Sequence, residues 1–489
     1  MNYPAIPDGK NNAKSTARWA VAVMGASLLA AMPALADEPP AQPQTLLEAI
    51  TGGKPLTNFR LRYENVDQDG WIGSAATGRN LDEADAWTLR SLIGWQTAPF
   101  KNFSIAAQLI NVTQFNDDFY DSTNAIFGSS VAVPSNMSKY PVVADPDYTG
   151  INQLFLEWTG LPDTKVRVGR QSVKLDNVRF VGNVEFRQLM QVFDGIAIEN
   201  KSIPDVELYV AHFEALRRIT GEYINRGNVD IAHATWKYSP TENLTGYGYL
   251  QNMPMNGFNP YNTTPHRDTS HGGTGFADNS SQTYGLRVDG SHKIDDAWKV
   301  LYTAEYAKQD DYRGGNDNID AHYWRLGAGA GWGNWYLRLD RETLSSNGEA
   351  TAANRYAFQT PLATGHLFQG WGDSFLLTPK EGMKDTFLSF GGEVFGIKLS
   401  GEYHWFDSDR DFRTTGNGSA FSSFTGNQYG KELDLSAAYA FDKNWSGKIE
   451  YFGYNADDCY TTSGACLNTS AGRNYRDKDN FLVTVMYTF

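Results

Sequence analysis

Apolar and polar residues alternate at every second position in many short segments of this chain. One of the first is Phe59-Arg60-Leu61-Arg62-Tyr63-Glu64, and the last runs from Phe481 to Phe489. Alternation with period two is typical of a β-strand that has one apolar and one polar face. About eighteen such segments occur, and they begin near Thr57, Ala86, Phe103, Ile151, Thr164, Gln191, Asp205, Asn228, Asn243, Gln282, Ala297, Ala321, Gly333, Lys384, Phe395, Gly430, Asn444 and Asn480.

The connections between these segments alternate between tight and long. The tight ones are 99–102, 160–163, 239–242, 294–296 and 442–443. The long polar ones are 68–85, 116–150, 252–281, 345–383, 407–429 and 455–479. This layout predicts an all-β fold: a transmembrane antiparallel up-and-down β-barrel of about 18 strands, with short periplasmic turns and long extracellular loops. A soluble sandwich or propeller, the alternative, gives no reason to segregate its loops in this way.

Aromatic residues near the strand ends favour the membrane barrel. Tryptophans recur there as they do in the girdles at the two lipid–water interfaces: Trp87, Trp95, Trp158, Trp236, Trp332, Trp335, Trp405 and Trp445. The chain also ends on an alternating strand closed by Phe489. Bacterial outer-membrane proteins commonly end in this way, and their assembly machinery recognises the terminal aromatic residue. We therefore predict that Phe489 is the assembly signal.

The first 36 residues have the layout of a secretory signal peptide. Lys10, Lys14 and Arg18 precede an apolar segment at 19–30, and Ala34-Leu35-Ala36 is an A-x-A cleavage site. An uncleaved anchor is the alternative, and the short apolar segment disfavours it. We predict a cleaved signal peptide at 1–36, a short periplasmic N-terminal segment at 37–56, and an outer-membrane β-barrel at 57–489.

Composition excludes several other classes of protein. A net charge of −14 argues against nucleic-acid binding, and an aromatic content of 13% argues against disorder. The mean hydropathy of −0.46 argues against a helical membrane protein.

Cys459 and Cys466 lie in one polar stretch, where an exported protein can form a disulfide. Two free thiols are the alternative.

Motifs for enzymatic chemistry are missing from the sequence. It contains no HExxH, GxSxG or Walker motif, so we expect no enzyme, no catalytic residue, no cofactor and no metal. Ser270-His271 lies in a polar loop and keeps an outer-membrane lipase or protease as an alternative. The acidic runs 117–118 and 407–411 lack the EF-hand spacing, which favours solvated loop charge over bound calcium.

The polar faces of the strands predict the chemistry of the interior. An eighteen-stranded barrel is too wide for side chains to fill, so we expect a water-filled lumen. A ring rich in arginine would favour anions, whereas a salt-bridge network that fills a narrow barrel is the alternative. We predict that the residues lining the pore or binding solute are Arg60, Arg62, Glu64, Arg90, Glu157, Arg167, Arg170, Arg179, Asp194, Arg287, Arg325 and Arg338.

The segment 169–188 interrupts the alternation and mixes Arg, Lys and Asn with glycine. One interpretation is a constriction loop that folds into the barrel and brings Arg170, Arg179 and Arg187 into the pore. The other is an external loop whose charges are solvated. The sequence does not choose between them.

Several stretches between residues 57 and about 225 resemble the alginate-export family of outer-membrane porins. They are Phe59-Arg60-Leu61-Arg62-Tyr63-Glu64, Thr88-Leu89-Arg90, Tyr140-Pro141-Val142-Val143-Ala144-Asp145-Pro146, Asn152-Gln153, Leu161-Pro162-Asp163-Thr164, Val168-Gly169-Arg170-Gln171, Asp176-Asn177-Val178-Arg179-Phe180-Val181-Gly182-Asn183 and Phe193-Asp194-Gly195. The resemblance implies an eighteen-stranded monomeric barrel with an electropositive pore. The namesake of the family exports an anionic polysaccharide. The acidic composition of this chain departs from that pattern.

These observations predict a porin for diffusion of a polar or anionic solute, such as an oligosaccharide, a polyuronate or a small organic compound. The alternative is a plugged structural or adhesive barrel whose long loops bind partners. We expect contacts with outer-membrane lipids and lipopolysaccharide, with the assembly machinery and with the solute, and we expect a monomer. The identity of the solute and the direction of transport stay open.

Overall fold

The computed structural model describes residues 43–69, 71–72, 79–121, 139–224, 227–252, 267–268, 275–276, 280–349, 355–410, 427–457 and 476–489. The predicted signal peptide, the Cys459–Cys466 pair and Ser270-His271 lie outside these residues. The predictions made for them therefore stay predictions. Within these ranges no helix has the length and apolar character needed to cross a membrane.

Eighteen long strands dominate the structure. They are β1 Asn58–Gln68, β2 Ala84–Gln96, β3 Phe103–Gln114, β4 Tyr148–Trp158, β5 Thr164–Gln171, β6 Val192–Asn200, β7 Val206–Arg217, β8 Asn228–Ser239, β9 Glu242–Asn252, β10 Ser281–Lys293, β11 Trp298–Asp311, β12 Asp320–Trp332, β13 Trp335–Leu344, β14 Met383–Val394, β15 Ile397–Asp407, β16 Gln428–Ala440, β17 Trp445–Ala456 and β18 Lys478–Thr488. Each predicted segment matches one of these strands, and the largest difference in start is between Ile151 and Tyr148.

The remaining elements are short. The helix α1 spans Leu46–Thr51, and a 3-10 turn spans Gly365–Leu367. The two-residue strands Lys54–Pro55 and Tyr223–Ile224 pair with β2 and β7, which makes the continuous sheet twenty-stranded. Two further pairs of two-residue strands stand apart from it: Trp71–Ile72 with Arg79–Asn80, and Arg267–Asp268 with Gly275–Phe276.

The sheet closes into a barrel because β1 pairs with both β2 and β18. Phe59 lies opposite Ser91 on one side and opposite Tyr487 on the other. Every pair of neighbouring long strands is antiparallel. Closure leaves no free edge, and a sheet in lipid needs this because its backbone groups have no water to bond. The predicted fold class is confirmed.

The two faces of the wall have opposite character. On β1, Arg60 and Arg62 point inward and are 6% and 3% exposed, whereas Leu61 between them is 38% exposed. The outward positions of the other strands are likewise apolar, with Leu286 and Leu326 among the most exposed. A soluble barrel would bury these residues. Seven of the predicted girdle tryptophans are exposed, and Trp158 is half-buried.

The segment before β1 lies against the turn end of the barrel. Thr45 caps α1 by accepting a hydrogen bond from the Glu48 backbone N–H at 3.2 Å. The indole of Trp95 on β2 donates to the Ile50 carbonyl at 2.7 Å. These contacts hold the helix beside the rim formed by the short turns.

Candidate functional site

Two loops fold into the barrel at the end opposite the short turns. Loop A (residues 172–191) connects β5 to β6, and loop B (residues 345–382, of which 350–354 lie outside the described part) connects β13 to β14. Val181 of loop A and Leu362 of loop B form a parallel bridge, in which the Gly182 N–H donates to the Leu362 carbonyl at 2.8 Å. Residues 172–191 therefore take the inward course, the first of the two alternatives for this segment.

Arginines of β1 hold loop A by its backbone. The Arg60 guanidinium donates to the carbonyls of Glu185, Phe186 and Arg187 at 2.7, 3.0 and 2.5 Å. Arg62 donates to the Phe186 carbonyl at 2.8 Å. Carbonyls in an irregular buried segment have no ladder partner, and these two side chains supply the missing donors. Arg60 and Arg62 thus lie beneath loop A.

Ion pairs join loop A to loop B and to the wall. Arg187 lies 3.1 Å from a Glu64 oxygen of β1 and 2.6 Å from Asp373 of loop B. Arg179 donates to Glu342 of β13 at 2.7 Å. Burial disfavours the charge on Arg187, but Glu64 and Asp373 raise its pKa above the ordinary value. Loop A is therefore fixed on both sides by buried charge.

Loop B is held on the opposite wall. The Trp371 indole donates to Glu402 of β15 at 3.1 Å, and the Gly372 N–H donates to Glu432 of β16 at 2.5 Å. Lys478 of β18 donates to the Gly372 carbonyl at 2.6 Å. Loops A and B together therefore form a partition across the interior, anchored on β1, β13, β15, β16 and β18.

A cavity of about 700 Å³ lies between loop A and the turn end of the barrel. It is lined by residues 172–176 of loop A and by inward side chains of β5 to β11 and β13. Its charged lining residues have both signs: Arg167, Lys174, Lys237, Arg287, Arg338, Asp176, Glu199, Glu207 and Asp289. We call this cavity the vestibule; its lining is polar and carries both signs of charge.

Most cations of this vestibule have a carboxylate partner. Arg287 contacts Asp289 at 2.9 Å and Asp176 at 3.3 Å, and His233 contacts Asp176 at 2.7 Å. Burial opposes the charge on Asp176, but Arg287 and the His233 hydrogen bond hold its pKa below the ordinary value. Arg167 contacts Glu157 at 2.6 Å. The vestibule therefore carries ordered pairs of opposite charge.

Three other arginines are bonded to neutral groups. Besides the carbonyls of loop A, Arg60 donates to Gln188 at 2.9 Å, Arg62 donates to Thr484 at 3.3 Å and Arg90 donates to Asn58 at 2.8 Å. Within the described ranges, none of the three donates to a carboxylate. Carboxylates therefore compensate the positive charge on the wall at β1 and β2 less than they compensate the cations of the vestibule.

The structure places Arg170 and Asp194 away from the interior. They form a 2.6 Å ion pair across β5 and β6, and Arg170 lies opposite Leu154 of β4, which is 47% exposed. Residues directly opposite in an antiparallel pair share a face of the sheet, so this pair lies on the outer face. The register of β5 with β4 and β6 is regular, so Arg170 lies on the face opposite to the inward Arg167, three positions before it. This placement differs from the predicted one in the pore.

The other predicted residues point inward. Glu64, Glu157, Arg167, Arg287 and Arg325 lie on inward rows and are buried or half-buried. Arg325 and Arg338 converge on Asp340 of β13, at 2.9 and 2.5 Å. The inward position of these residues agrees with strand alternation, and their role in lining the pore or binding solute stays a prediction. The sequence could not say which acid would pair with which base.

Sequence reasoning missed loop B as part of the interior. Its residues Phe358, Leu362, Phe368, Trp371 and Phe375 are buried. A long external loop of a barrel has no reason to carry so many large apolar side chains. That apolar content was the available signal, and the interpretation of 345–383 as a polar extracellular loop did not use it.

Comparisons with known proteins identify the fold. No family model matches the chain, and no curated protein matches it. Among solved structures, Acinetobacter baumannii OccAB4 is 14% identical, with a TM-score of 0.60 and coverage of 88% of this chain and 96% of that one. Pseudomonas aeruginosa OpdL is 12% identical (TM-score 0.59, coverage 90% and 99%), and P. aeruginosa OpdQ is 15% identical (TM-score 0.58, coverage 91% and 99%).

The likeness extends over almost the full length of these chains and concerns the closed eighteen-stranded barrel. Together with the apolar outer face of the wall, it defines the fold: this chain is a closed eighteen-stranded transmembrane β-barrel with the architecture of these solved structures.

Proposed function

We propose that this chain is a porin that lets polar or anionic solutes diffuse across the Gram-negative outer membrane. The observation that carries the proposal is a closed eighteen-stranded wall whose inward rows are charged and which encloses a vestibule of about 700 Å³. Charged inward rows need water or ions, and a water-filled barrel that crosses the membrane conducts.

The charges favour a solute with anionic or hydroxyl groups. Arg167 and Lys237 line the vestibule with side chains 32% and 47% exposed, so they are accessible to a passing carboxylate. Arg287 and Arg338 are more deeply placed and orient the neighbouring acids. The resemblance to the alginate-export family extends the proposal to oligosaccharides and polyuronates. We assign solute contact to the vestibule residues, and a supporting role in holding the loops to Arg60, Arg62, Glu64 and Arg179.

The same proposal covers assembly and partners. We infer a monomer that contacts outer-membrane lipids and lipopolysaccharide through its apolar belt and whose Phe489 is read by the assembly machinery. Phe489 is 71% exposed at the end of β18, where a partner has access to it. We propose no catalytic role for any residue.

One observation favours the plugged barrel as a second candidate. Loops A and B contribute buried residues such as Phe180, Leu362 and Phe375 to one continuous apolar cluster with the wall. Such packing blocks a wide part of the cross-section. In this case the chain would be a structural or adhesive barrel whose outer loops bind partners.

Conductance in planar bilayers separates the two candidates. The porin gives discrete, reproducible current steps after insertion of the purified barrel, whereas a plugged barrel inserts without current. Swelling of liposomes in isotonic solutions of neutral sugars, uronate oligomers and small organic acids then ranks the solutes. Insertion is verified in the same sample by heat-modifiable migration on gels, so that missing current cannot result from missing protein.

A further inference from the structure

We propose that Glu402, His404 and Asp434 form a binding site for a divalent transition-metal ion, with Zn²⁺ as the best match. The site lies on the inner wall beneath loop B. This inference does not rest on the proposed transport function, because a plugged barrel would contain the same residues.

Strand geometry brings the three side chains together. Glu402 and His404 are two positions apart on β15 and share its inward face, and Asp434 of β16 lies directly opposite Glu402. All three are at most 1% exposed. One potential ligand atom from each lies within 4.8 Å of the others. Their proximity therefore follows from regular strand pairing.

The spacing of the atoms suits a tetrahedral ion. His404 Nε2 lies 3.3 Å from a Glu402 oxygen and 3.4 Å from an Asp434 oxygen. Zinc bonds to nitrogen and oxygen of about 2.0–2.1 Å place tetrahedral ligands about 3.3–3.4 Å apart. An imidazole with carboxylates is a ligand set that Zn²⁺ accepts, whereas Ca²⁺ and Mg²⁺ prefer oxygen alone.

The orientation of His404 supports metal binding independently. Its Nδ1 lies 2.9 Å from Asp385 of β14, a distance at which Nδ1–H donates to the carboxylate. In the neutral Nδ1–H tautomer, Nε2 then presents its lone pair to Glu402 and Asp434, whose oxygens are themselves acceptors. A cation placed between the three atoms removes the repulsion. A histidine held by a carboxylate through its other nitrogen is the usual outer arrangement of a metal ligand.

The same carboxylates also carry buried oxygens without a hydrogen-bond partner among the described residues. Glu402 Oε1, Asp434 Oδ1 and, beside them, Glu432 Oε2 are buried and have no hydrogen-bond partner among the described residues. Uncompensated carboxylates are costly away from water. Lys478, the nearby cation, donates to the Gly372 carbonyl instead. A divalent ion bound to Glu402 Oε2 and Asp434 Oδ2, the oxygens that face His404 Nε2, would supply positive charge to these carboxylates.

The site also connects metal binding to the partition. The backbone N–H and the indole of Trp371 donate to Asp434 and Glu402 at 3.3 and 3.1 Å. An ion bound to these carboxylates would fix their positions and therefore the position of loop B. Metal binding is thus expected to reduce the mobility of the partition.

The test is a titration of the purified full-length barrel. After treatment with EDTA and removal of the chelator, the protein is titrated with Zn²⁺ in a calorimeter. We expect about one saturable equivalent, an affinity lowered at least about 100-fold in His404→Gln and Asp434→Asn, and one lowered about 10–100-fold in Asp385→Asn. Co²⁺ in place of Zn²⁺ should give the intense visible bands of tetrahedral coordination.

His233→Gln is the matched control, because the His233 side chain is 8% exposed, faces inward and is also paired with an aspartate, but Arg287 balances that aspartate. It should keep the wild-type affinity. Equal zinc binding by wild type and His404→Gln, or no saturable binding by wild type, overturns the proposal. Should the His404 variant fail to fold, the wild-type titration and the Co²⁺ spectrum decide alone. The conductance test of the proposed porin function is separate, because its outcome does not affect whether the metal site exists.

Discussion

Arg187 of loop A and Asp373 of loop B form a 2.6 Å ion pair inside the barrel. The same guanidinium contacts Glu64 of β1 at 3.1 Å. One buried cation therefore joins two loops and the wall, and the position of the partition depends on it.

We first predict that Asp373→Asn loosens loop B. Removing one partner of a buried pair costs about 3–5 kcal/mol when the other charge is left alone. Here Glu64 still compensates Arg187, so we expect a loss of about 1–3 kcal/mol in the free energy of unfolding. Chemical unfolding of the folded barrel in lipid vesicles measures it. The control is Asp296→Asn, which removes an exposed pair with Lys293 in a turn and should change little.

The same pair predicts a pH dependence with a definite sign. Burial would raise the pKa of Asp373, but His366 and Arg187 hold it well below its ordinary value. A carboxyl group whose pKa is depressed in the folded state stabilises above its unfolded pKa of about 3.9, and it loses that contribution as the pH falls toward the folded value. The stability difference between wild type and Asp373→Asn should therefore persist down to about pH 5 and shrink below about pH 4. A difference that shrinks already near pH 6 contradicts this assignment.

A third prediction concerns the close approach of the two loops at Gly182. A Cβ atom on Gly182 would lie 2.2 Å from Thr364 Oγ1 and 2.9 Å from the Val178 side chain. Gly182→Ala therefore has to displace loop B, and we expect noisier or larger single-channel currents and a destabilisation of about 1–3 kcal/mol. Thr364→Ala in the same chain removes the nearer atom. The double variant should lose less stability than the sum of the single variants, and additive losses would show that the two loops do not contact here.

The strands of the barrel wall could be predicted from the sequence far better than the course of the loops inside the barrel. Strand alternation reports local burial on one of two faces, and this is why Arg60, Arg287 and Arg325 could be assigned to the inward rows. Loop A was ambiguous because glycine and charged residues suit both a solvated loop and a buried loop held by ion pairs. Pairings such as Arg179 with Glu342 join residues far apart in the chain, and no local pattern encodes them.

Arg170 shows a different limit. Arg167 and Arg170 are three positions apart on β5, whose register with β4 and β6 is regular, so alternation alone puts them on opposite faces. The sequence interpretation placed Arg170 in the segment 169–188 that interrupts the alternation, and it therefore assigned both arginines to the pore. The register with Leu154 settled its side. The cluster around His404 could not be predicted from the sequence either, because Asp385, Glu402 and Asp434 lie on three different strands.

A fourth prediction concerns the chain terminus. The Phe489 N–H donates to the Thr57 carbonyl at 3.2 Å, so the last residue lies at the seam between β18 and β1. Phe489→Ser keeps this backbone bond but removes the exposed aromatic ring. If the ring is the assembly signal, the variant should accumulate as degraded periplasmic protein and show less heat-modifiable barrel in outer-membrane fractions. Phe441→Ser, which removes an exposed aromatic ring from another turn, is the control and should assemble normally.

The last prediction tests which face of β13 controls ion selectivity. Arg338 lines the vestibule, and its side chain is 13% exposed. Arg341, on the same strand, lies opposite Leu326 on the outer face. Arg338→Gln removes a positive charge from the vestibule, so the local electrostatic potential becomes more negative. Asp340 is not left unpaired, because it still contacts Arg325 at 2.9 Å. We expect the reversal potential in a salt gradient to shift toward cation preference.

Arg341→Gln makes the same chemical change on the outer face and should leave the reversal potential unchanged. The shift in Arg338→Gln should grow at low salt, because the Debye length rises from about 10 Å at 0.1 M to about 30 Å at 0.01 M. Low-dielectric walls also strengthen the effect of a charge inside a narrow vestibule. Equal shifts in both variants would mean that the net charge of the barrel decides selectivity. No shift in either would place the conducting path away from the vestibule beneath loop A.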